Sequence, residues 1–141
     1  MFIDADQIFV PKDIQRALEL IKTYDVVCGA YPRKDGAMTL EPKNIVQFNR
    51  NLGGDLYYGA TGMMMISYNI VDKIAKEIGP SVSVSRTDKA YPFFLERIVN
   101  EKVLGPTKDL WLSEDYSFCW LVRKTGGVVH GFISPTIGHI I

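Results

Sequence analysis

The chain has little cysteine, no long apolar run and no excess of either charge, and each shortage closes off a class of function. Two cysteines in 141 residues, Cys28 and Cys119, cannot build a disulfide framework, and neither sits in a Cys-X-X-Cys or Cys/His spacing. Both lie in apolar stretches, so they read as buried free thiols in a reducing compartment, and a cytoplasmic location is expected. The longest apolar candidate, residues 62–66, is far shorter than the roughly 18–20 residues a membrane span needs. Asp4 and Asp6 interrupt the apolar start, which argues against a secretion signal. Lysine plus arginine equals aspartate plus glutamate, 16 against 16, so no overall field draws the chain to nucleic acid.

What is present is a globular composition, 47% hydrophobic, in a length that suits one domain over 1–141. Residues 1–4 read as the end of a strand. Pro11 and Asp13 suit a helix start, and Ile14, Ala17, Leu18 and Ile21 give that helix one apolar face. Residues 25–31 are β-rich, and 32–36 carry turn chemistry. Two short strands are expected around residues 42–44, and 56–66 reads as a glycine-interrupted strand region where a ligand approaches the backbone. A second amphipathic helix runs through Ile70, Val71, Ile74, Ala75 and Ile78, capped by Ser67 or Asn69, and 79–89 reads as a loop. A third helix is expected over 91–102, burying Phe94, Leu95, Ile98 and Val99. A fourth runs from Ser113 to Lys124 before Gly126 and Gly127, with a last strand over 128–133. Helices alternating with strands predict an α/β fold.

Three groups of residues carry chemistry. On an extended backbone Asp4 and Asp6 project to one side, and two hard oxygen donors so spaced suit Mn²⁺ or Mg²⁺ holding a phosphate. The same pair also fits a solvated strand-to-loop junction. Ser113-Glu114-Asp115 is either a helix cap with two acids facing the dipole, or a site holding a general base. His139 is either packed among isoleucines or a third metal ligand, whereas His130 reads as structural.

These pieces, in this order, resemble the GT-A-fold glycosyltransferases, family 2 in particular. The resemblance is carried by FIDAD at residues 2–6 followed by Pro11, VVCGAYPRK at 26–34, GATGMMMI at 59–66, SEDYSFCWLVR at 113–123 with Gly126, and His139. It implies a partial GT-A-like (nucleotide-diphospho-sugar transferase) mixed β-sheet with flanking helices. It implies Asp4, Asp6 and His139 as ligands of a divalent metal that also holds the diphosphate of a nucleotide-sugar donor. Asp115 would be the base activating a hydroxyl acceptor such as a glycan for inverting transfer, with Glu114 orienting it or contacting the acceptor. Gly59, Thr61, Gly62 and Met63 would lie on the acceptor side.

The resemblance also implies an N-terminal nucleotide-binding half ahead of the Asp-X-Asp strand. The chain starts at that strand, so it is expected to be a truncated catalytic region, inactive in isolation if that half supplies the donor pocket. A strand stripped of its neighbours exposes an edge, which predicts a homo-oligomer. The alternative is a non-catalytic carbohydrate-binding or assembly module on the same scaffold. A haloacid-dehalogenase-type phosphotransferase also begins with an apolar strand and Asp-X-Asp. Gln7-Ile8 and the lack of a glycine before Glu114 depart from that pattern.

Overall fold

Five consecutive buried residues, Val26–Ala30, form a strand hydrogen-bonded on both sides, as an unbroken apolar run predicts. The computed structural model describes residues 1–33, 35–48, 53–82, 89–103, 105–134 and 136–139, without the side chains of 81, 82, 89 and 139. In chain order the elements are β1 (Phe2–Ile3), β2 (Gln7–Ile8), α1 (Pro11–Leu20), β3 (Val26–Ala30), β4 (Leu40–Pro42), β5 (Gly54–Gly59) and β6 (Met63–Ile66). There follow α2 (Tyr68–Ile78), β7 (Ser81–Val82), β8 (Lys89–Ala90), β9 (Arg97–Glu101), β10 (Lys108–Leu112), α3 (Glu114–Lys124), β11 (Val129–Ile133) and β12 (Gly138–His139). The fold is mixed α/β.

Six strands form one sheet in the order β1-β6-β3-β11-β5-β4. Only β3 and β11 run parallel, and every other neighbouring pair is antiparallel. The remaining strands make three two-stranded ribbons, β9–β10, β2–β12 and β7–β8. β1 lies at one edge of the sheet, beside β6.

Strand alternation sends side chains to two cores. Val27, Tyr31, Met63, Met65 and Phe132 pack with Ala17 and Ile14 of α1. Val26, Cys28, Ala30, Leu56 and Met64 pack with Ile70 and Ile74 of α2 and with Phe118, Cys119 and Val122 of α3. The sheet is therefore covered by helices on both faces. Cys28 and Cys119 are free and buried, as anticipated. Among the described residues no helix is long and apolar enough to cross a membrane.

Helix α1 opens with Pro11 after an extended Val10, whose N–H donates to Asp13 Oδ2 at 3.0 Å. Ser134 donates to Asp13 Oδ1 at 2.5 Å and Thr136 to Oδ2 at 2.7 Å, so one buried carboxylate fastens the segment after β11 to the first turn. Burial alone would raise the Asp13 pKa, but these donors and Arg16 outweigh it and hold the carboxyl below its ordinary 3.8. A depressed folded-state pKa means the unfolded chain binds the proton more readily. The stabilisation is therefore complete above the unfolded pKa and lost as pH falls through the folded one. Asp13→Asn is expected to cost about 1–3 kcal/mol at neutral pH. The gap in urea midpoint between Asp13→Asn and the parent closes as pH drops below about 4, and a gap constant with pH would refute the assignment.

Helix α2 is capped as expected, Ser67 Oγ accepting from the Ile70 N–H at 3.4 Å. The structure corrects two other expectations. Residues 91–102 are not a helix: 91–96 carry no helical turn, and Arg97–Glu101 is β9, paired with β10 from Leu112↔Arg97 to Lys108↔Glu101. Strand alternation, not a helical face, sets the burial: Val99 is buried while its neighbour Ile98 stands 75% exposed. Leu95, also expected in the core, is exposed. Residues 79–89, read as a loop, contain Ser81–Val82, which pairs with Lys89–Ala90 as the β7–β8 ribbon. The stretch 56–66 is the expected glycine-interrupted strand region, β5 and β6 with β11 and β3 between them in the sheet. His130 is structural, stacked on Tyr24 at 3.9 Å with Nδ1 3.5 Å from Asp55.

Candidate functional site

The Asp-X-Asp segment does not continue β1. Gln7 N–H donates to Asp4 O at 3.1 Å, folding residues 4–7 into a turn between β1 and β2. The extended geometry expected to align Asp4 and Asp6 is therefore absent. The two carboxylates are presented by a turn instead, and both residues are exposed. The turn is anchored by Asp4 N–H, which donates to Gly62 O at 3.1 Å. That bond brings the β5–β6 connection, residues 60–62, against the acidic turn.

Gly62 is required for this approach. A Cβ there would lie 2.0 Å from the Tyr31 hydroxyl and 2.5 Å from its Cζ. Tyr31 follows β3 and is buried, and its backbone is held by Thr39, whose hydroxyl donates to Tyr31 O at 3.1 Å. Burial first, and then the charges of Asp4, Asp115 and Asp6, push the Tyr31 phenol up to about 12. The phenol thus stays neutral at physiological pH and feels the carboxylates of both acidic motifs. Tyr31 lies directly after a fully apolar strand, within the VVCGAYPRK stretch that carries the resemblance, which assigns it no role.

The second motif arrives at the same place on α3. Ser113 occupies the N-cap position, but its hydroxyl donates to Asp115 Oδ1 at 2.5 Å rather than capping the helix. The same Oδ1 accepts from Tyr116 N–H at 2.9 Å, so Asp115 is fixed at the helix start and half-buried. Glu114 is exposed and lines a cleft of about 200 Å³ together with Phe2, Ile3, Asp4, Thr61 and Phe94. The structure therefore joins Asp4, Thr61 and Glu114 in one cleft, with Gly62 directly behind it.

Other expected site residues are placed by packing. Gly59 is buried at the end of β5, where a Cβ would meet Cys28 Sγ at 2.5 Å and the Cys119 thiol donates to its carbonyl at 3.4 Å. Met63 is buried against Gly29 in the core on the α1 side. Neither faces the cleft. The backbone of His139 pairs with Gln7, next to Asp6, and its side chain lies outside the described residues. Among the described residues no group of three or more His, Cys, Asp or Glu side chains is clustered to hold a metal.

A larger cavity of about 510 Å³ lies between α1 and the segment after β11. Its buried polar groups, Asp13, Ser134 and Thr136, bond to one another, so the helix-start network already accounts for them. No protein-family model, curated protein or solved structure matches the chain.

Proposed function

We propose that the chain is the acceptor-side part of a GT-A-like glycosyltransferase, passing a sugar from a nucleotide-sugar donor to a hydroxyl acceptor with inversion. The observation that carries this is the meeting of Asp4 with Glu114 and Thr61 in one cleft, although the three are far apart in sequence. The donor set of the Asp4–Asp6 turn fits a hard divalent cation, since both groups are oxygen donors, exposed and close to a single phenol. Asp4 and Asp6 would hold Mn²⁺ or Mg²⁺, with His139 as the third ligand. When bound, the metal supplies neutralisation of the leaving nucleoside diphosphate.

The chain's own residues then divide the work. Asp115, whose Oδ1 accepts from Ser113 and Tyr116 at the helix start next to the cleft residue Glu114, would take the acceptor proton. Glu114 and Thr61 would meet the acceptor in the cleft.

Millimolar Mn²⁺ is expected to raise the melting temperature by several degrees. A ligand at 100 times its Kd adds about 2.7 kcal/mol, and a chain of this size gains roughly 2–4 °C for each. Asp4→Asn combined with Asp6→Asn removes the shift. Thermal unfolding with and without metal decides the matter, and no shift in the parent chain sinks the metal assignment.

A second reading, a carbohydrate-binding module without catalysis, is favoured by the aromatic walls that Phe2 and Phe94 give the cleft. It predicts glycan binding with no affinity for nucleoside-diphosphate sugars, which calorimetric titration separates from the first.

A further inference from the structure

The cleft has a lining that is selective beyond its acidic groups. Among the described residues its lining is two phenylalanines, an isoleucine, a threonine and two carboxylates, with no lysine, arginine or histidine. With no metal on Asp4, an anionic group entering it would meet two negative charges and no cation among those residues, an arrangement that costs binding energy. A hydroxyl-bearing ligand finds only favourable polar partners there, since carboxylates accept hydrogen bonds and the threonine hydroxyl both donates and accepts. The aromatic faces, electron-rich at their centres, suit the C–H face of a ring rather than a charged or fully hydrated group.

The walls are also held in place. Phe94 stacks on Phe118 at 4.6 Å, and Phe2 and Phe94 form a T-shaped pair at 5.4 Å. The segment bearing Phe94 is pinned by Arg97, which donates to Leu95 O at 3.0 Å, Pro92 O at 2.9 Å and Ser117 Oγ at 2.5 Å. Phe94 is thus fixed to the helix that carries Glu114, and the gap between ring and carboxylate is set by the fold. At about 200 Å³ the space is below the roughly 300 Å³ at which pockets begin to hold drug-sized ligands. It is the size of one ring.

We infer that this cleft is a subsite for a single neutral sugar ring, its C–H face on Phe94 and Phe2 and its hydroxyls on Asp4, Thr61 and Glu114, and that it rejects uronates and sugar phosphates. The inference rests on the transferase reading only in calling this ring the acceptor.

The test is an amide-NMR titration at neutral pH, without metal or nucleotide sugar. The probes are the methyl glycoside of a neutral hexose, the methyl glycoside of a hexuronic acid, and a hexose phosphate. The neutral glycoside is expected to bind and to shift the amides of Thr61, Phe94 and Glu114, with the two anionic probes at least 10-fold weaker. Phe94→Ala weakens the neutral glycoside at least 5-fold, and Phe94→Tyr, which keeps the ring, retains it. Thr61→Val, a near-isosteric change at a half-buried position, weakens it without altering the melting temperature, so a folding defect in Phe94→Ala does not leave the question open. Equal or tighter binding of either anion, no dependence on Phe94, or no glycoside binding at all overturns the proposal. Glycoside binding with no Mn²⁺ response breaks the transferase reading and leaves the subsite standing. Mn²⁺ binding with no glycoside recognition does the reverse.

Discussion

Glu101→Ala is expected to remove about 3–5 kcal/mol of stability, the loss seen when one partner of a buried ion pair is deleted. Glu101 of β9 meets Arg123 of α3 through two bonds, 2.5 Å from Nη1 to Oε1 and 2.8 Å from Nη2 to Oε2. The two side chains are only 20% and 12% exposed. The Tyr58 hydroxyl also donates to Glu101 Oε2, and Arg123 Nε donates to Tyr57 O at 3.1 Å, so the pair joins β9, β5 and α3. Burial would lower the Arg123 pKa, but the Glu101 hydrogen bond and charge raise it above its ordinary value. Without Glu101 the largely buried guanidinium keeps, among the described residues, the Tyr57 carbonyl, the Tyr58 hydroxyl and two ring faces, 5.2 Å from Tyr57 and 5.1 Å from Tyr58. Native domains hold about 5–15 kcal/mol in total, so such a loss leaves the variant partly unfolded at ambient temperature. Urea unfolding measures it. Glu101→Leu combined with Arg123→Met recovers most of the loss, because desolvated charge is removed along with the bond. A single-variant loss below about 1 kcal/mol would place the pair among solvated surface bridges.

On the proposed transferase reading, and in a protein that includes the donor-binding half, Asp115→Asn is expected to lower the rate of sugar transfer by about 10²–10⁴-fold, the range for removing a general base. Asparagine keeps an oxygen to accept from Ser113 and Tyr116, so the helix start is retained and only the proton acceptor is lost. The Mn²⁺ melting shift of the variant stays at the parent value, since Asp4 and Asp6 are untouched. Initial rates with a nucleotide-sugar donor check this. Equal rates in parent and variant would remove Asp115 from the mechanism and leave Glu114, the carboxylate lining the cleft, as the group to test.

Where one helix face or one strand carries the pattern, the fold could be read directly. Ala17 and Ile14 on α1, Ile70 and Ile74 on α2, and the run Val26–Ala30 all lie where their periodicity puts them. The reading failed at 91–102 because Phe94, Leu95, Ile98 and Val99 satisfy a helical spacing while only Val99 is buried among the strand residues. What decides there is the pairing with β10, a non-local contact invisible in a local window. The site shows the same division. Asp4 and Glu114, carboxylates singled out by their chemistry, and Thr61, singled out by the resemblance, share a cleft, yet Phe2 and Phe94 complete it through contacts between distant segments. Gly59 and Met63 belong to the same glycine- and methionine-rich stretch as Thr61. One strand position decides whether such a residue faces the core or the cleft, and composition cannot count that position.

The sheet order has a kinetic consequence. β11, near the middle of the sheet, is the last of its six strands in sequence, and it separates β3 from β5. β5 and β4 can pair as a hairpin, and β3, β6 and β1 can pair among themselves, but the two halves share no sheet until residues 129–133 insert between them. The parallel β3–β11 ladder pairs residues 103 positions apart, as Val26 with Val129, and the entropy of closing that loop must be met before its contacts form. Folding is therefore slow for a domain of this size, and a nascent chain on the ribosome holds two half-sheets with open edges until β11 emerges.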